Sequence, residues 1–368
     1  MDKKYSVKNT IIAVLGSHVA LEVCRGAKDE GFKTLVVCEK GREKTYNHYY
    51  KARESLGCVD ECIVLDNFVD IILPHVQKQL QKKHVIFIPN RSLEAYLAFN
   101  YLAIEEEFRV PLFGNKFLLK IEERNHHPNQ YDLLERADIR IPKQFIDSKK
   151  IDRLCLVKVN EKERIFERAF FLVENYGDFT KQAKEKIRQG IITKEALEIA
   201  VIEEFVLGVQ VNFNFFYSPL LDRLELLGTD TRRQTNIEGI TKTPAIYQNE
   251  MQDKISMKYE EAGHIAVTVL ESLLEQAFIM GEKFVKTSQS QFAPGIIGPF
   301  ALQTIIVPGP PKKDIVVIDV SPRMPGSPGI SATPYSGYLH GSSVSVGRRV
   351  AQEIKLAMST KSLDKVLS

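Results

Sequence analysis

The chain has 368 residues, of which 44% are hydrophobic and 26% are charged, and its formal net charge is +3. This length exceeds one ordinary hydrophobic core and the composition excludes a disordered chain, so we expect a globular protein of two or three lobes. The weak and scattered positive charge argues against a nucleic-acid partner. No apolar stretch approaches the length of a membrane span, so we expect no membrane partner either.

The start of the chain and its cysteines indicate a compartment. Met1–Lys4 has no apolar core of signal-peptide length, and the five cysteines are an odd number in largely apolar settings. Free thiols of this kind are typical of the reducing cytoplasm, which is the location that the sequence predicts. Cys58 and Cys62 have a CxxxC spacing, but a metal site would need a second pair of Cys or His residues.

The first 115 residues alternate short apolar runs with helical patterns. Thr10–Leu15 is a continuous apolar run, typical of a strand that is buried on both faces. Three more runs of strand length follow it, at Thr34–Cys38, Cys62–Leu65 and Val85–Pro89. Strands separated by helices predict a doubly wound parallel sheet. Ligands of such sheets bind beyond the carboxyl ends of the strands, where Gly16-Ser17-His18 and Pro89–Ser92 fall.

Residues 116–200 have the pattern of a small α+β lobe. Lys116–Glu135 is predicted to be helical, Leu154–Val159 and Ala169–Val173 to be strands, and Phe179–Gln189 to be an amphipathic helix. Lys158 stands near the end of the first strand, where its charge could reach a phosphate. A lone lysine at a strand end is more often a surface charge.

Residues 201–368 predict a larger antiparallel lobe. Ile199–Val206 is an apolar strand with two acids in it, and Val209–Tyr217 alternates strictly, as a half-buried strand does. Its polar positions are Gln210, Asn212 and Asn214. Glu260–Val285 is predicted to be one long amphipathic helix. The last three elements are the strands Phe300–Val307 and Ile315–Val320 and a closing helix with an apolar stripe from Val346 to Ala357.

Gln303 and Asp319 are the strongest candidates for a metal site. The Pro308–Asp314 turn places them nearly opposite each other on neighbouring strands, within one residue of register. Oxygen ligands of this kind suit Mg²⁺ that is shared with nucleotide phosphates, and the nearby Arg323 suits phosphoryl charge. The alternative from spacing alone is that Asp319 caps a strand end and Gln303 faces solvent.

Three other positions suit a nucleotide. Glu203 and Glu204 could bind a ribose hydroxyl and an adenine amine, although adjacent acids are more often a solvated strand end. Gly16-Ser17-His18 exposes backbone N–H groups at a helix N-terminus, which favours a phosphate monoester, unless the histidine only neighbours the helix cap. Asp230–Asn236 reads as a short loop with two guanidinium groups and an amide, which suits an anion or the polar edge of a base.

Eight short segments, in order along almost the whole chain, match one known family. They are Leu15–His18, Val110–Asn115, Ile202–Gly208, Phe216–Pro219, Glu225–Gly228, Asn236–Gly239, Pro294–Phe300 and Pro334–Ser336. Together they resemble the formate-dependent 5-formaminoimidazole-4-carboxamide ribonucleotide (FAICAR) synthetases, the archaeal PurP family. Because the matches are many and ordered, the resemblance is far more specific than any one motif.

The resemblance implies an ATP-grasp fold with an N-terminal doubly wound (pre-ATP-grasp) domain. The implied divisions are a substrate-binding domain at 1–115, an ATP-grasp small lobe at 116–200 and a C-terminal lobe at 201–368. The implied activity is an ATP- and Mg²⁺-dependent ligase of purine (IMP) biosynthesis, with Mn²⁺ as the alternative ion. It would formylate 5-aminoimidazole-4-carboxamide ribonucleotide (AICAR) with formate through formyl phosphate, as a homo-oligomer.

The resemblance also assigns residues by position. The residues implied to bind the ribonucleotide are His18, Ser92 and Asn236. Those implied to bind ATP are Lys120, Lys158, Glu203, Glu204 and Val206. The implied metal ligands are Gln303 and Asp319, and Arg323 matches the arginine that follows the second ligand, which gives it a catalytic role.

Four departures from the family pattern bear on the reaction. The flap after Lys158, Val159–Arg168, has no glycine, so we expect at least one of Lys162, Arg164 and Arg168 to reach the phosphates in place of backbone amides. The other departures are Asp319 for a glutamate, Met324–Gly329 for a Gly-Thr-Asn loop, and Asn90-Arg91 for a His-Gly pair. Two alternatives therefore stay open: an ATP-grasp ligase with another acid or amine, and a catalytically weak nucleotide-binding regulatory paralogue.

Overall fold

The computed structural model describes residues 5–17, 19–124, 126–159, 169–252, 254–255, 261–309 and 312–368. Within these ranges the strands form a four-stranded, a three-stranded and a five-stranded sheet. The predicted class, α/β combined with α+β, is confirmed. No helix in the described ranges is both long enough and apolar enough to cross a membrane.

The amino-terminal sheet is parallel, as predicted, with the strand order β3-β2-β1-β4. Its strands are β1 Ile11–Leu15, β2 Lys33–Glu39, β3 Glu61–Leu65 and β4 Val85–Ile88, and its helices are α1 Ala20–Asp29, α2 Pro74–Lys82 and α3 Arg91–Tyr96. The run at β1 is apolar throughout because this strand lies inside the sheet and is buried on both faces. The residues that follow β1 and β4 lie at one edge of the sheet.

The carboxyl-terminal helix α11, Val346–Ser359, packs on this amino-terminal module. A Cβ at Gly26 would lie 2.1 Å from the Arg348 backbone nitrogen, and a Cβ at Gly347 would lie 2.4 Å from the Glu22 carbonyl oxygen. Both glycines therefore allow the backbones of α1 and α11 to touch. The apolar stripe of α11 joins the same hydrophobic core as β1, so the last residues of the chain complete the first sheet.

The small lobe consists of a three-stranded antiparallel sheet with helices beside it. Its elements are α4 Gln130–Arg136, β5 Cys155–Val159, β6 Ala169–Val173, α5 Tyr176–Arg188, α6 Lys194–Glu198 and β7 Val201–Glu204. The single helix expected over Lys116–Glu135 is wrong. A 3-10 turn at Lys116–Glu122 comes first, and α4 begins after Asn129, whose side chain caps it. Pro128 separates the two because it lacks an N–H group and disfavours helix before it.

The large sheet is antiparallel with the order β10-β9-β8-β11-β12. The elements of this lobe are β8 Val209–Ser218, β9 Arg223–Gln234, α7 Ile237–Thr241, α8 Ala245–Gln252, β10 Glu261–Ala266, α9 Leu274–Gln291, β11 Gly298–Val307, β12 Asp314–Ser321 and α10 Tyr335–His340. The helix predicted from Glu260 is wrong in its first part: residues 261–266 pair with β9, and α9 begins only at Leu274. Pairing with an open strand edge overrides the local helical pattern.

Two further expectations about this sheet are corrected. Asp230–Gln234, read from the sequence as part of a loop, belongs to β9, which pairs with β8 and β10. The strand β8, expected to be half-buried, is buried on both faces from Val211 to Ser218. Phe213, Phe215 and Tyr217 pack in one core with α9, whereas Phe216 packs in the core of the amino-terminal module. The asparagines of β8 are therefore interior residues, and a buried amide needs a partner.

Candidate active site

One row of polar residues crosses the large sheet. Asp230 on β9 is the register partner of Asn212 on β8, Asn212 is the partner of Gln303 on β11, and Gln303 is the partner of Asp319 on β12. Directly opposed residues of antiparallel strands share one face of the sheet. Because neighbouring strands lie ~4.8 Å apart, the row spans ~15 Å. Its two ends lead to different clusters of side chains.

The structure confirms the predicted placement of Gln303 and Asp319 on adjacent strands. The Gln303 amide nitrogen donates to Asp319 Oδ2 over 3.1 Å and to Ser321 Oγ over 3.3 Å. Burial opposes ionisation of the Asp319 carboxyl, but the positive charges of Arg124, Lys158 and Arg232 outweigh it and hold its pKa below the usual range. The carboxylate is therefore charged at neutral pH, as a cation ligand must be.

This pair fits Mg²⁺ as a two-residue site. Rotating the Gln303 amide would turn its oxygen toward the position that its nitrogen now faces, beside the Asp319 carboxylate. The described residues contain no group of three or more His, Cys, Asp or Glu side chains that could hold a metal. Mg²⁺ needs no such group because it keeps several waters and is bound through one or two protein oxygens plus phosphates.

The Lys158 cluster, which consists of Arg124, Tyr131, Lys158, Glu203 and Asp319, lies at the β12 end of the row. Lys158 Nζ is 2.5 Å from Glu203 Oε1, and the Tyr131 hydroxyl lies 3.1 Å from Glu203 Oε2 and 3.3 Å from Lys158 Nζ. Arg124 reaches Asp319 Oδ1 over 3.7 Å. Burial lowers the pKa of Lys158, and the Glu203 carboxylate opposes this effect. The cluster joins a lysine from β5 to an acid from β12.

The remaining residues assigned to ATP by resemblance lie apart from this cluster. Glu204 follows Glu203 on β7 but is half-buried near Arg153, 3.8 Å away, because successive strand residues face opposite sides. Val206 is half-buried in the connection between β7 and β8. Lys120 forms an ion pair with Glu105 at 3.0 Å. These positions do not test the predicted ATP-binding role of any of the three residues.

Arg323 is held by acids rather than by the Gln303–Asp319 pair. Its guanidinium lies 2.7 Å from Glu122 Oε1 and 3.3 Å from Glu94 Oε1, and the residue is 7% exposed. Burial raises the pKa of Glu94 to about 7, helped by Glu122, while Arg323 and Arg91 oppose the shift. Arg323, in the loop after β12, thus connects α3 of the amino-terminal module with the 3-10 turn at Lys116–Glu122.

The edge of the parallel sheet that was predicted to bind the monophosphate is formed by the residues that follow β1 and β4. Ser92 Oγ lies 2.6 Å from Ser17 Oγ, so the ends of β4 and β1 meet as expected. Asn90 forms a bridge with Met324, which brings the loop after β12 to the same edge. His18, a predicted ribonucleotide ligand, lies outside the described residues, as does the flap at 160–168. Asn236 follows β9 and is the N-cap residue that immediately precedes α7, with a positive φ of 40°.

The Asp230 pocket lies at the other end of the row and has a cavity volume of about 100 Å³. Its polar lining residues include Asn212, Asn214, Asp230, Arg232, His264, Gln303, Ser321, Arg323, Arg91 and Ser327. His264 Nδ1 lies 2.5 Å from Asp230 Oδ2, and its Nε2 lies 2.9 Å from Glu261 Oε1. Burial lowers the pKa of His264, but these two carboxylates outweigh it and raise the pKa to about 9. The pocket therefore carries an imidazolium at neutral pH.

Several residues of both clusters escaped the sequence analysis. Tyr131 and Arg124 lie near a break in the segment that was predicted to be one helix, and His264 lies where a helix was expected, so neither local pattern marked them. Asn212 and Asn214 did leave a signal, because two asparagines alternate with apolar residues in a strand. Only the position of that strand in the sheet shows that the amides are buried.

Comparisons with known proteins agree with this architecture. A family model described as a domain of unknown function, DUF1297, matches residues 178–368, and one described as a protein of unknown function, DUF1246, matches residues 12–145. Proteins named 5-formaminoimidazole-4-carboxamide-1-(beta)-D-ribofuranosyl 5'-monophosphate synthetase, from Methanopyrus kandleri and Methanocaldococcus jannaschii, are each 36% identical to this chain. Both similarities cover 99% of this chain and 97% of the relative.

Solved structures extend the similarity to three dimensions. The crystal structure of an IMP biosynthesis protein PurP from Thermococcus kodakaraensis superposes with a TM-score of 0.69 at 28% identity, over 97% of this chain and 100% of that one. The ADP complex of an N5-carboxyaminoimidazole ribonucleotide synthetase has a TM-score of 0.54 at 11% identity, over 87% of this chain and 71% of that one, and shows the fold alone.

The three sheets and the residues gathered between them define a ligase of the ATP-grasp fold. The chain is identical to these relatives at more than a third of positions over nearly its full length, and this similarity establishes its family. The chain belongs to the family of 5-formaminoimidazole-4-carboxamide ribonucleotide synthetases, the PurP family.

Proposed function

We propose that this protein uses ATP and Mg²⁺ to join formate to the amine of AICAR, as the names of its relatives suggest. The observation that carries the proposal is the row from Asp230 to Asp319, which puts a pocket and a pair of oxygen ligands on one sheet face. A ligase of this kind must hold an acyl phosphate and an amine side by side, and the row has the length for both.

In the proposed reaction a formate oxygen attacks the γ-phosphorus of ATP, and ADP leaves. The lone pair of the AICAR amine then forms a bond to the formyl carbon, the carbon–oxygen bond to phosphate breaks, and the nitrogen loses a proton. Mg²⁺, or Mn²⁺ as the alternative ion, would supply charge stabilisation to the phosphates. Gln303 and Asp319 would hold it, and Arg124 and Lys158 would bring positive charge to the same side.

The other assignments complete the proposal. Glu203 would fix Lys158 within the ATP site, and Lys120, Glu204 and Val206 would line that site after the lobes close. Arg323 would turn from its acids toward the transferred phosphoryl group. His18, Ser92 and Asn236 would bind the ribonucleotide, with the monophosphate at the Ser17–Ser92 edge. We further propose a cytoplasmic homo-oligomer, for which light scattering on the purified protein is the direct measurement.

The test is a coupled assay of ADP release with ATP, Mg²⁺ and AICAR, with and without ¹³C-labelled formate. We expect ADP to appear only with formate and the label to appear in the ribonucleotide product by mass spectrometry. ADP release with a different acid, and none with formate, would indicate a ligase of other specificity. ATP binding with no ADP for any acid supplied would indicate a regulatory paralogue. Repeating the assay with Mn²⁺ identifies the preferred ion.

A further inference from the structure

The Asp230 pocket contains hydrogen-bonding atoms that the protein itself leaves without partners. Asn212 and Asn214 are 4% and 1% exposed. Among the described residues, nothing forms a hydrogen bond with the Oδ1 atom of either side chain, nor with Ser327 Oγ. All three residues line the same pocket. Buried polar atoms nearly always have partners, so three such atoms at one pocket indicate a ligand.

The orientation of the two amides follows from Asp230. Its carboxylate accepts hydrogen bonds from Asn212 Nδ2 over 2.9 Å and from Asn214 Nδ2 over 2.7 Å. An ionised carboxylate only accepts hydrogen bonds, so both NH₂ groups must face it and neither amide can flip without loss. His264 holds the carboxylate from a third direction. Asp230 and His264 are therefore positioning residues, which present two amide oxygens as acceptors.

These atoms complement one kind of ligand. Two buried acceptors suit a ligand with two N–H donors. The guanidinium of Arg232, whose Nε lies 3.4 Å from Glu261 Oε2, has further N–H groups that suit an acceptor. An aminoimidazole carboxamide has this pattern, because its amine and its amide NH₂ donate and its amide oxygen accepts. The pocket also includes Arg91, the chain neighbour of Ser92 at the proposed monophosphate edge. A ribonucleotide could therefore span from that edge to the asparagines.

Register distinguishes the two asparagines. Asn212 is the partner of Gln303, whereas Asn214 is the partner of Ala301, one pleat farther from the Gln303–Asp319 pair. Residues two apart on a strand are separated by ~7 Å. The reacting amine must lie beside the acyl phosphate, and the acyl phosphate must lie beside the metal ligands. Asn212 is thus the better placed of the two for the amine, which leaves Asn214 for the carboxamide.

We propose that Asn212 accepts a hydrogen bond from the reacting 5-amino group of the acceptor and that Asn214 accepts one from its carboxamide. This inference rests on the proposed function. It identifies two specificity-determining residues for the acceptor base. Each uncompensated loss of a buried hydrogen-bond partner costs enough free energy to weaken binding about 10-fold.

The experiment measures dissociation constants by calorimetry for three ligands without ATP. They are AICAR, imidazole-4-carboxamide ribonucleotide, which lacks the 5-amino group, and ribose 5-phosphate, which lacks the base. Asn212→Leu should weaken AICAR binding about 10-fold and leave the analogue without the amine nearly unchanged. Asn214→Leu should weaken both base-containing ligands equally. Neither variant should change the binding of ribose 5-phosphate.

Gln210→Leu is the matched control, since Gln210 lies on the same strand and has the same alternation but does not line the pocket. It should bind all three ligands like the wild type. Unchanged AICAR affinity in both asparagine variants would overturn the inference and would mean that water alone satisfies the amide oxygens. Equal weakening of both base-containing ligands by Asn212→Leu would overturn the assignment of the amine.

Two further results keep the test decisive. If the leucine variants fail to fold, the affinities of the wild type are sufficient to test the proposal. Equal affinities of the wild type for AICAR and for the analogue without the amine would overturn it. If the wild type binds ribose 5-phosphate but not AICAR, the proposed function itself fails. Failure of the inference alone is therefore distinguishable, since the wild type would then bind AICAR and the variants would bind it equally well.

Discussion

The Lys158 cluster and the Asp230 pocket lie at opposite ends of one row of residues, and they differ in whether their buried polar atoms have partners within the protein. In the Lys158 cluster the charges are paired within the protein, as Lys158 with Glu203 and Arg124 with Asp319. In the Asp230 pocket the charges are also paired, but the neutral amide oxygens have no partner among the described residues. One end therefore suits charged phosphates and a cation, whereas the other suits a neutral heterocycle with N–H donors.

The difference has an energetic basis. Buried ions must be neutralised even when no ligand is bound, because removing one partner leaves an uncompensated charge that costs several kcal/mol. A buried amide oxygen without a partner costs less, about 1–3 kcal/mol, and a bound water can offset that cost. A site for phosphates can therefore keep internal counter-ions, while a site for a neutral base can leave its acceptors open.

The largest effect is expected from Asp319→Asn. The substitution removes a carboxylate beside Gln303 with little change in volume, so turnover measured as ADP release should fall by about 10²–10³-fold or more. The matched control is Asp314→Asn on the same strand, where the carboxylate pairs with Arg140 at the far end of β12. Normal turnover in Asp319→Asn would show that the Lys158 cluster takes no part in the reaction.

Glu203→Gln tests whether the stability of the Lys158 cluster depends on the ion pair between Lys158 and Glu203. Lys158 would remain buried beside a neutral amide, so the free energy of unfolding should fall by about 3 kcal/mol in urea denaturation. Its neighbour Glu204, with a side chain that is 30% exposed and 3.8 Å from Arg153, should lose less than about 1 kcal/mol in the matching Glu204→Gln variant. Equal losses would show that the two adjacent acids are not distinguished by burial.

The imidazolium of His264 makes the Asp230 pocket sensitive to pH. Its folded pKa of about 9 exceeds the ordinary value of 6.5, so its ion pairs stabilise the fold fully below pH 6.5 and lose that contribution as pH rises through 9. The difference in unfolding free energy between wild type and His264→Gln should therefore shrink over this range, by about 2 kcal/mol or less. His75→Gln, on the exposed part of α2, is the control. A difference that grows with pH would contradict the imidazolium.

The smallest effect is expected at the edge of the parallel sheet. Ser92→Ala removes the hydroxyl that meets Ser17, so the affinity for ribose 5-phosphate should fall about 3- to 10-fold while ATP affinity stays the same. Ser290→Ala, at an exposed position of α9, provides the control. Equal losses for the two ligands in calorimetry would argue against separate sites for the monophosphate and for ATP.

The local patterns of the sequence were sufficient for much of the fold and for one pair of site residues. Thr10–Leu15 predicted a buried parallel strand because a strand with neighbours on both sides needs apolar residues throughout. The turn at Pro308–Asp314 predicted the pairing of Gln303 with Asp319 because a hairpin sets the register of its own two strands. Both are short-range consequences of chain geometry.

The tertiary structure alone decided the features that join distant segments. His264 reaches Asp230 because residues 261–266 add a strand to an open edge, against a pattern that reads locally as helix. Asn212 becomes an interior acceptor because other segments cover both faces of β8, and the direction of its amide depends on a carboxylate 18 residues away. The sequence determined which residues are polar, but whether a polar atom is buried and unpaired depends on what packs around it.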